Sequence, residues 1–309
     1  MEISSNIRGL CYEKDSKGES IKLTDRLIRT LHVLDMAGIG SIISHYQNEF
    51  GHKSQIIYRH KKDFGSKISA FYGGIGLSQF RSVIFRACVE AKNYDIIHIH
   101  SAESLVPLFK LLHKKVILHY HGSDINDKGR SKNKIKILQR SMADAIVYNT
   151  SDMLPKIITI NNTPKFHLIN PIDTKLFHQY NIPKNGSLAF ISKNLDKEKT
   201  TELIKRYGDV KIIDIDDSPI SYTKMPLILS KFTYFIDDKI TDHGMIAPLS
   251  STALQALACG CIVYRNMQKI DKMPETCTPE FVVKRLDEIY KSVLDNKSEL
   301  SVNRNHRLS

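Results

Sequence analysis

The sequence is short of several things, and each shortage narrows the possibilities. It has five cysteines (Cys11, Cys88, Cys259, Cys261 and Cys277) and no CxxC pair among them. That usage excludes a disulfide scaffold or a cysteine-based zinc knuckle, and it suggests reduced, mostly buried thiols of a cytosolic protein. No apolar stretch approaches the ~18–20 residues that a membrane-spanning helix needs. The opening residues, MEISSNIRGL, lack the apolar core of a secretory signal. The expected location is therefore the cytoplasm.

Acidic residues are also in deficit: 33 Asp and Glu stand against 45 Lys and Arg, a net charge of +12. Such a balance favours anionic partners. The densest basic run is Lys128–Arg140, KGRSKNKIKILQR. It reads as a solvated helix face or, more sharply, as a surface for acidic lipid headgroups at the inner face of a membrane. No RNP, zinc-finger or KH pattern accompanies the charge, so no nucleic-acid partner is expected.

What is present is an alternation of apolar strands and helices. Residues 1–28 are poorly patterned and read as an N-terminal arm. From Thr30 the order is strand (Thr30–Asp35), glycine loop with Gly38 and Gly40, helix (Ser41–Phe50) and strand (Lys53–Arg59). Further strands follow at Tyr94–Ser101, Lys115–Asp124, Ala143–Asn149 and Phe166–Asn170. After a Pro- and Gly-containing link the pattern restarts with strands at Leu188–Ser192, Val210–Asp216 and Phe232–Asp237. A helix at Glu280–Leu294 closes the series, free to fold back onto the first half. Buried strands separated by helices predict an α/β protein with two Rossmann-like parallel sheets, residues 1–177 and 178–309. The length of 309 residues suffices for two cores.

Ligands of such sheets lie beyond the carboxyl ends of the strands. The candidates there are Asp35, His98, His100, Ser101, His121, Gly122, Asp124, Asn149 and Asn170, and in the second half Ser192, Lys193, Asp216, Asp237 and Asp238. Gly38 and Gly40 would let backbone approach a ligand. The stretch Leu249–Arg265, LSSTALQALACGCIVYR, predicts a helix entered through Ser250, Ser251 and Thr252 and followed by a buried strand. A helix start with unpaired amides beside hydroxyls suits a diphosphate. Thr252 and Gln255 also have capping-box spacing. His98 and His100 share one strand face, and His119 and His121 repeat the spacing, so two HxH pairs could gather a zinc ion for hydrolysis. Asp214 and Asp216 form a DxD that reads as strand-end carboxylates.

Several of these segments carry a resemblance. ALQALACGCIV resembles the ALEALACGxPV segment of GT-B glycosyltransferases similar to glycosyltransferase family 4. His121-Gly122-Ser123-Asp124 resembles that family's HGxD, Gly51-His52 its helix-ending GH, and Asn170–Phe177 its NGVDxxxF joint, with Pro171 in place of glycine. The resemblance implies a GT-B fold and transfer of a hexosyl unit from a nucleotide-diphosphate sugar to an acceptor hydroxyl on a glycan or lipid, retaining and free of metal or other cofactor. It places His121 at the donor sugar with Gly122 and Asp124 beside it. Lys193, with Lys197 or Lys199, falls where the family holds the diphosphate with arginine and lysine. Gln255 takes the position of the glutamate on the ribose. The preceding glutamate is Ala247 here, a departure that also fits a non-catalytic binding protein on a transferase scaffold.

Overall fold

The computed structural model describes residues 12–14, 20–22, 27–35, 38–57, 62–63, 69–70, 77–126, 131–193, 195–241, 244–245 and 248–295. Most of the expected N-terminal arm, Cys11, residues 128–130 of the basic run and Ala247 lie outside the described residues.

The first half builds a six-stranded sheet. Its strands are β1 (Arg29–Val33), β2 (Lys53–Ile57), β3 (Ile96–His100), β4 (Lys115–Tyr120), β5 (Ala145–Tyr148) and β6 (Lys165–His167). They lie in the order β6-β5-β4-β3-β1-β2, every pair parallel. The chain winds outward from β1 to β2 and then returns to the other side of β1, so the switch point falls between β1 and β3. Helix α1 (Ile39–Glu49) follows β1, α2 (Leu77–Ala91) precedes β3, α3 (Val106–Leu111) precedes β4, and α4 (Lys134–Ser141) precedes β5.

The second half repeats the plan. Its strands are β7 (Ser187–Ile191), β8 (Val210–Asp214), β9 (Tyr234–Ile236), β10 (Ile262–Arg265) and β11 (Gln268–Ile270), in the order β8-β7-β9-β10-β11. Within this five-stranded sheet only β11 is antiparallel; it returns from β10 through a two-residue turn at Asn266 and Met267, both with positive φ. The sequence reading missed this hairpin, because no glycine marks the turn. Helices α5 (Lys197–Lys205), α6 (Met225–Leu229) and α7 (Ser251–Ala258) connect the strands. Cys259, Cys261 and Cys277 are buried and free, and Cys88 is half-buried and free.

Helix α8 (Pro279–Leu294) closes the chain, capped by Thr278. Its apolar face does not serve the second sheet. Val282, Val283, Leu286, Ile289, Tyr290 and Val293 pack with Ile39, Ile42, Ile43 and Tyr46 of α1 over Ile96, Ile117 and Val147 of the first sheet. Tyr46 also donates to the Asp173 carboxylate at 2.8 Å, tying α1 to the segment that joins the halves. Leu286 is fully buried in this layer, so Leu286→Ala should cost about 2–5 kcal/mol. Urea unfolding followed by a probe in the first half should register that loss although residue 286 belongs to the last described helix.

Candidate functional site

The face of the first sheet beneath α1 and α8 carries a row of imidazoles. Parallel register sets His32 opposite His98 and His100 opposite His119. The two-residue period of a strand keeps His98 with His100 and His119 with His121. The rings of His98 and His100 lie parallel with centroids 4.7 Å apart, and those of His119 and His121 are 4.1 Å apart. His32, His98, His100 and His119 are fully buried, and His121 at the open end is half-buried. Burial and the neighbouring rings hold His98, His100 and His119 well below the ordinary imidazole range, and burial lowers His121. His32 is pushed down to about 4, chiefly by burial. All five rings are therefore neutral near pH 7.

The predicted HGSD turn stands at the open end. Asp124 accepts from the amides of His121 at 3.0 Å and Gly122 at 2.8 Å, and also from the Ser101 hydroxyl. Its carboxylate is thus turned onto the turn it braces. Gly122 has φ +152, and a Cβ there would meet nothing nearer than Met153 Cε at 3.9 Å. The conformation calls for glycine while the space above it stays open. His121 uses both ring nitrogens: Nε2 meets His100 Nδ1 at 2.7 Å and Nδ1 meets Asn170 Oδ1 at 3.0 Å. Asn149 secures the same corner, accepting from the Asn170 amide at 2.7 Å and donating to the His121 carbonyl at 3.3 Å.

The glycine loop serves a different purpose from the one expected. Gly38 starts α1 with φ 78. A Cβ on Gly40 would come within 2.7 Å of Ile56 Cδ1, 3.0 Å of His100 Nε2 and 3.2 Å of Asp35 Oδ1. Gly40 therefore admits the protein's own histidine and aspartate, not a ligand. Asp35 is buried and accepts from the Ser41 amide at 3.1 Å and from the Ser41 hydroxyl. Desolvation raises its carboxyl to about 7 against these bonds.

In the second half the amino end of α7 is more heavily tied than the sequence suggests. The N-cap is Ser250, whose hydroxyl accepts from the Ala253 amide at 3.1 Å. Thr252 lies inside the helix, so the capping box with Gln255 does not form. The fully buried Asp237 carboxylate accepts from the Ser250 hydroxyl at 2.5 Å and its amide at 2.9 Å, from Arg265 Nη1 at 2.8 Å, and faces Lys239 Nζ at 3.1 Å. Among the described residues, neither the cap nor Asp237 takes the amides of Ser251 and Thr252. Gln255 follows on the same helix, half-buried. Lys239 and Arg265 escaped the sequence reading; a cation at each of two strand ends flanking a Ser-led helix was the available signal.

Of the other basic candidates, Lys197 and Lys199 are paired through their side chains. Lys193 is exposed, with its amide on Asp216; Lys197 pairs with Asp214; and Lys199 pairs with the helix-capping Asp196 at 2.8 Å. The DxD carboxylates thus brace the β7 and α5 ends. Asp238, the other acid at the end of β9, is held by Tyr207 at 2.5 Å. In the basic run, Arg140 is fully buried, donating to the Lys136 and Lys156 carbonyls, and so is no part of a lipid-facing surface. Lys136 lies 3.6 Å from buried Glu103. Among the described residues two groups could hold a metal ion: His32, His98 and His100, and His100, His119 and His121.

The titrations have a definite sign. Five imidazoles neutral in the fold each take up a proton on unfolding below about pH 6.5, so they erode stability as pH falls from about 6.5 toward 4. Asp35 acts oppositely: folded it keeps its proton to about 7, unfolded it releases it near 4, so it erodes stability as pH rises through that window. Denaturation between pH 4 and 7 should show a net loss toward acid, and Asp35→Asn should steepen it.

Residues 43–176 match the sequence family described as Glycosyltransferase Family 4. No curated protein matches the sequence. In three dimensions the chain resembles the UDP-GlcNAc 2-epimerase of Methanocaldococcus jannaschii, with TM-score 0.51 and 10% identity over 85% of this chain and 99% of that one. The UDP-N-acetylglucosamine 2-epimerase of Rickettsia bellii gives TM-score 0.48 and 12% identity over 88% and 98%. The glycosyltransferase SnogD of Streptomyces nogalater gives 0.41 and 10% over 89% and 96%. At such identities the likeness is one of fold. The chain is a GT-B-fold protein whose residues 43–176 carry the pattern of Glycosyltransferase Family 4.

Proposed function

We propose that the protein transfers a hexosyl unit from a nucleotide-diphosphate sugar to an acceptor hydroxyl on a glycan or lipid. The observation that carries the reading is the His121-Gly122 turn: braced by Asp124, anchored to Asn170, and open above Gly122. It lies within the segment that matches the transferase family. The sugar ring sits over Gly122 and against the exposed edge of His121. The diphosphate lies at the start of α7, where the Ser251 and Thr252 amides donate to it and Gln255 reaches the ribose. Lys239 and Arg265 add positive potential from behind, partly offset by Asp237. As the bond from the anomeric carbon to the diphosphate oxygen breaks, negative charge grows on the leaving group and the sugar acquires oxocarbenium character. Fixed amides and cations at that end stabilise the charge, an effect worth several kcal/mol. The acceptor oxygen forms the new bond to the anomeric carbon and gives its proton to the departing diphosphate oxygen. In this reading the transfer uses no metal ion. Retention of configuration belongs to the same reading by family resemblance.

The uridine and thymidine diphosphate sugars are the donors to screen. One that binds should raise the melting temperature, by the equivalent of about 2.7 kcal/mol at a hundredfold excess over Kd. His121→Ala should then abolish transfer, followed as nucleotide release, while leaving most of the thermal shift, which reports the α7 end. No shift with any nucleotide sugar removes the reading, and a shift with epimerised donor as the product replaces transfer by epimerisation.

Helix α4 supports contact with an anionic surface. Its Ile135 and Leu138 are 67% and 54% exposed, and Leu111 at the end of the neighbouring α3 is 75% exposed. Lys132 and Lys134 flank them. Vesicles containing anionic lipid should pellet the protein while neutral vesicles do not, and Ile135→Asp with Leu138→Asp should abolish the difference. Equal pelleting with both lipids removes the proposal.

A further inference from the structure

The buried rings are joined in one continuous line of hydrogen bonds. From the open end it runs Asn170 Oδ1 to His121 Nδ1 (3.0 Å), His121 Nε2 to His100 Nδ1 (2.7 Å), His100 Nε2 to His32 Nδ1 (3.0 Å) and His32 Nε2 to Gln47 Oε1 (2.8 Å). It continues from Gln47 Nε2 to the Tyr290 hydroxyl (3.4 Å), from that hydroxyl to His98 Nδ1 (2.6 Å), and from His98 Nε2 to His119 Nδ1 (3.1 Å). His119 Nε2 ends the line, buried and without a partner among the described residues.

Counting protons constrains this line. Four contacts join Gln47, His32, His100, His121 and Asn170, each contact needs one proton, and three neutral imidazoles supply three. The fourth comes from the NH2 of one of the two terminal amides. Once that amide is chosen, every ring between the two ends has its tautomer decided, because a ring that donates on one side must accept on the other. The two amides are not equivalent. Gln47 has a second contact: its nitrogen donates to Tyr290 while its oxygen faces His32. With that orientation His32 donates through Nε2 and accepts at Nδ1, His100 donates through Nε2 and accepts at Nδ1, and His121 donates through Nε2. Its Nδ1 is left bare toward Asn170, whose amide turns half a revolution to present its nitrogen.

We infer that Gln47, oriented by Tyr290 of the closing helix, sets the tautomer of His121 through His32 and His100. Gln47 and Tyr290 are then positioning residues for the turn, although neither reaches the open end. The bare Nδ1 is the acceptor that a ligand hydroxyl meets on displacing the Asn170 amide; this last consequence rests on the proposed glycosyl transfer, while the tautomer itself does not. Carboxylates do not enter the line: Asp35 is engaged with Ser41, and Asp124 with the backbone of the turn and Ser101.

The test is nitrogen NMR on the full chain labelled with 15N-histidine, with His121 assigned by its disappearance in His121→Gln. The wild type should show a protonated Nε2 and a bare Nδ1 on His121, with a nitrogen–nitrogen coupling across the bond to His100. Tyr290→Phe and Gln47→Met each remove the fixed end, and both should bring the His121 tautomer ratio from about tenfold toward parity, the worth of one net hydrogen bond. A His121 protonated on Nδ1 in the wild type overturns the inference. So does an unchanged ratio in folded Gln47→Met, or a tightly held equivalent of zinc that abolishes the coupling. None of these readouts depends on turnover, so the tautomer can fail while transfer stands, and transfer can fail while the tautomer stands.

Discussion

An imidazole buried in a dry layer must find partners for both ring nitrogens or pay the desolvation of each, about 1–3 kcal/mol. Four such rings, with the half-buried His121 beside them, share one face of the first sheet, and the elements that cover the face are held in register by that demand. His32 finds Gln47 on α1, and His98 finds Tyr290 on α8. Apolar contacts alone tolerate sliding of a helix over a sheet; a polar contact 2.6–2.8 Å long does not. The positions of α1, α8 and the HGSD turn therefore follow from one buried polar row, with Gly40 as the steric condition that lets α1 come close enough.

The second half answers to a buried charge instead. Asp237 has no solvent exposure and is neutralised from two sides by Arg265 and Lys239, while it holds the Ser250 cap in place. Removing one partner of such a cluster leaves an uncompensated ion, so its members act together. The result is a helix start whose cap is fixed by side chains behind it. The two halves thus prepare opposite kinds of surface, a neutral histidine edge and a donor-rich helix end.

Much of this was legible in the residues. The alternation of apolar strands and helices announced two parallel sheets, because strands buried on both faces read as unbroken Val, Ile and Leu. HGSD and the Ser-led ALQALACG segment marked the strand end and the helix start that the proposed function uses. What escaped notice depended on distant partners. Nothing local to Gln47 or Tyr290 signals a contact with histidines 15 and 192 residues away. The loop glycines read as ligand contacts because sequence gives no sight of His100 standing behind Gly40. Lys197 and Lys199 read as phosphate binders because their pairing with Asp214 and Asp196 depends on packing. Arg140 read as surface for a similar reason: its hydrogen bonds reach the Lys156 carbonyl, beyond its own helix.

The return of α8 to the first sheet bears on how the chain is assembled. Residues 279–294 leave the ribosome after every other element described, yet they supply the lid of the sheet that emerges first. Until they arrive, the histidine row and the apolar face around it stand open to water and to other chains. Completion of the first half is thus deferred past the folding of the second, a long-range closure that slows assembly and lengthens exposure to aggregation. The first sheet reaches its final form only when the whole described chain is present.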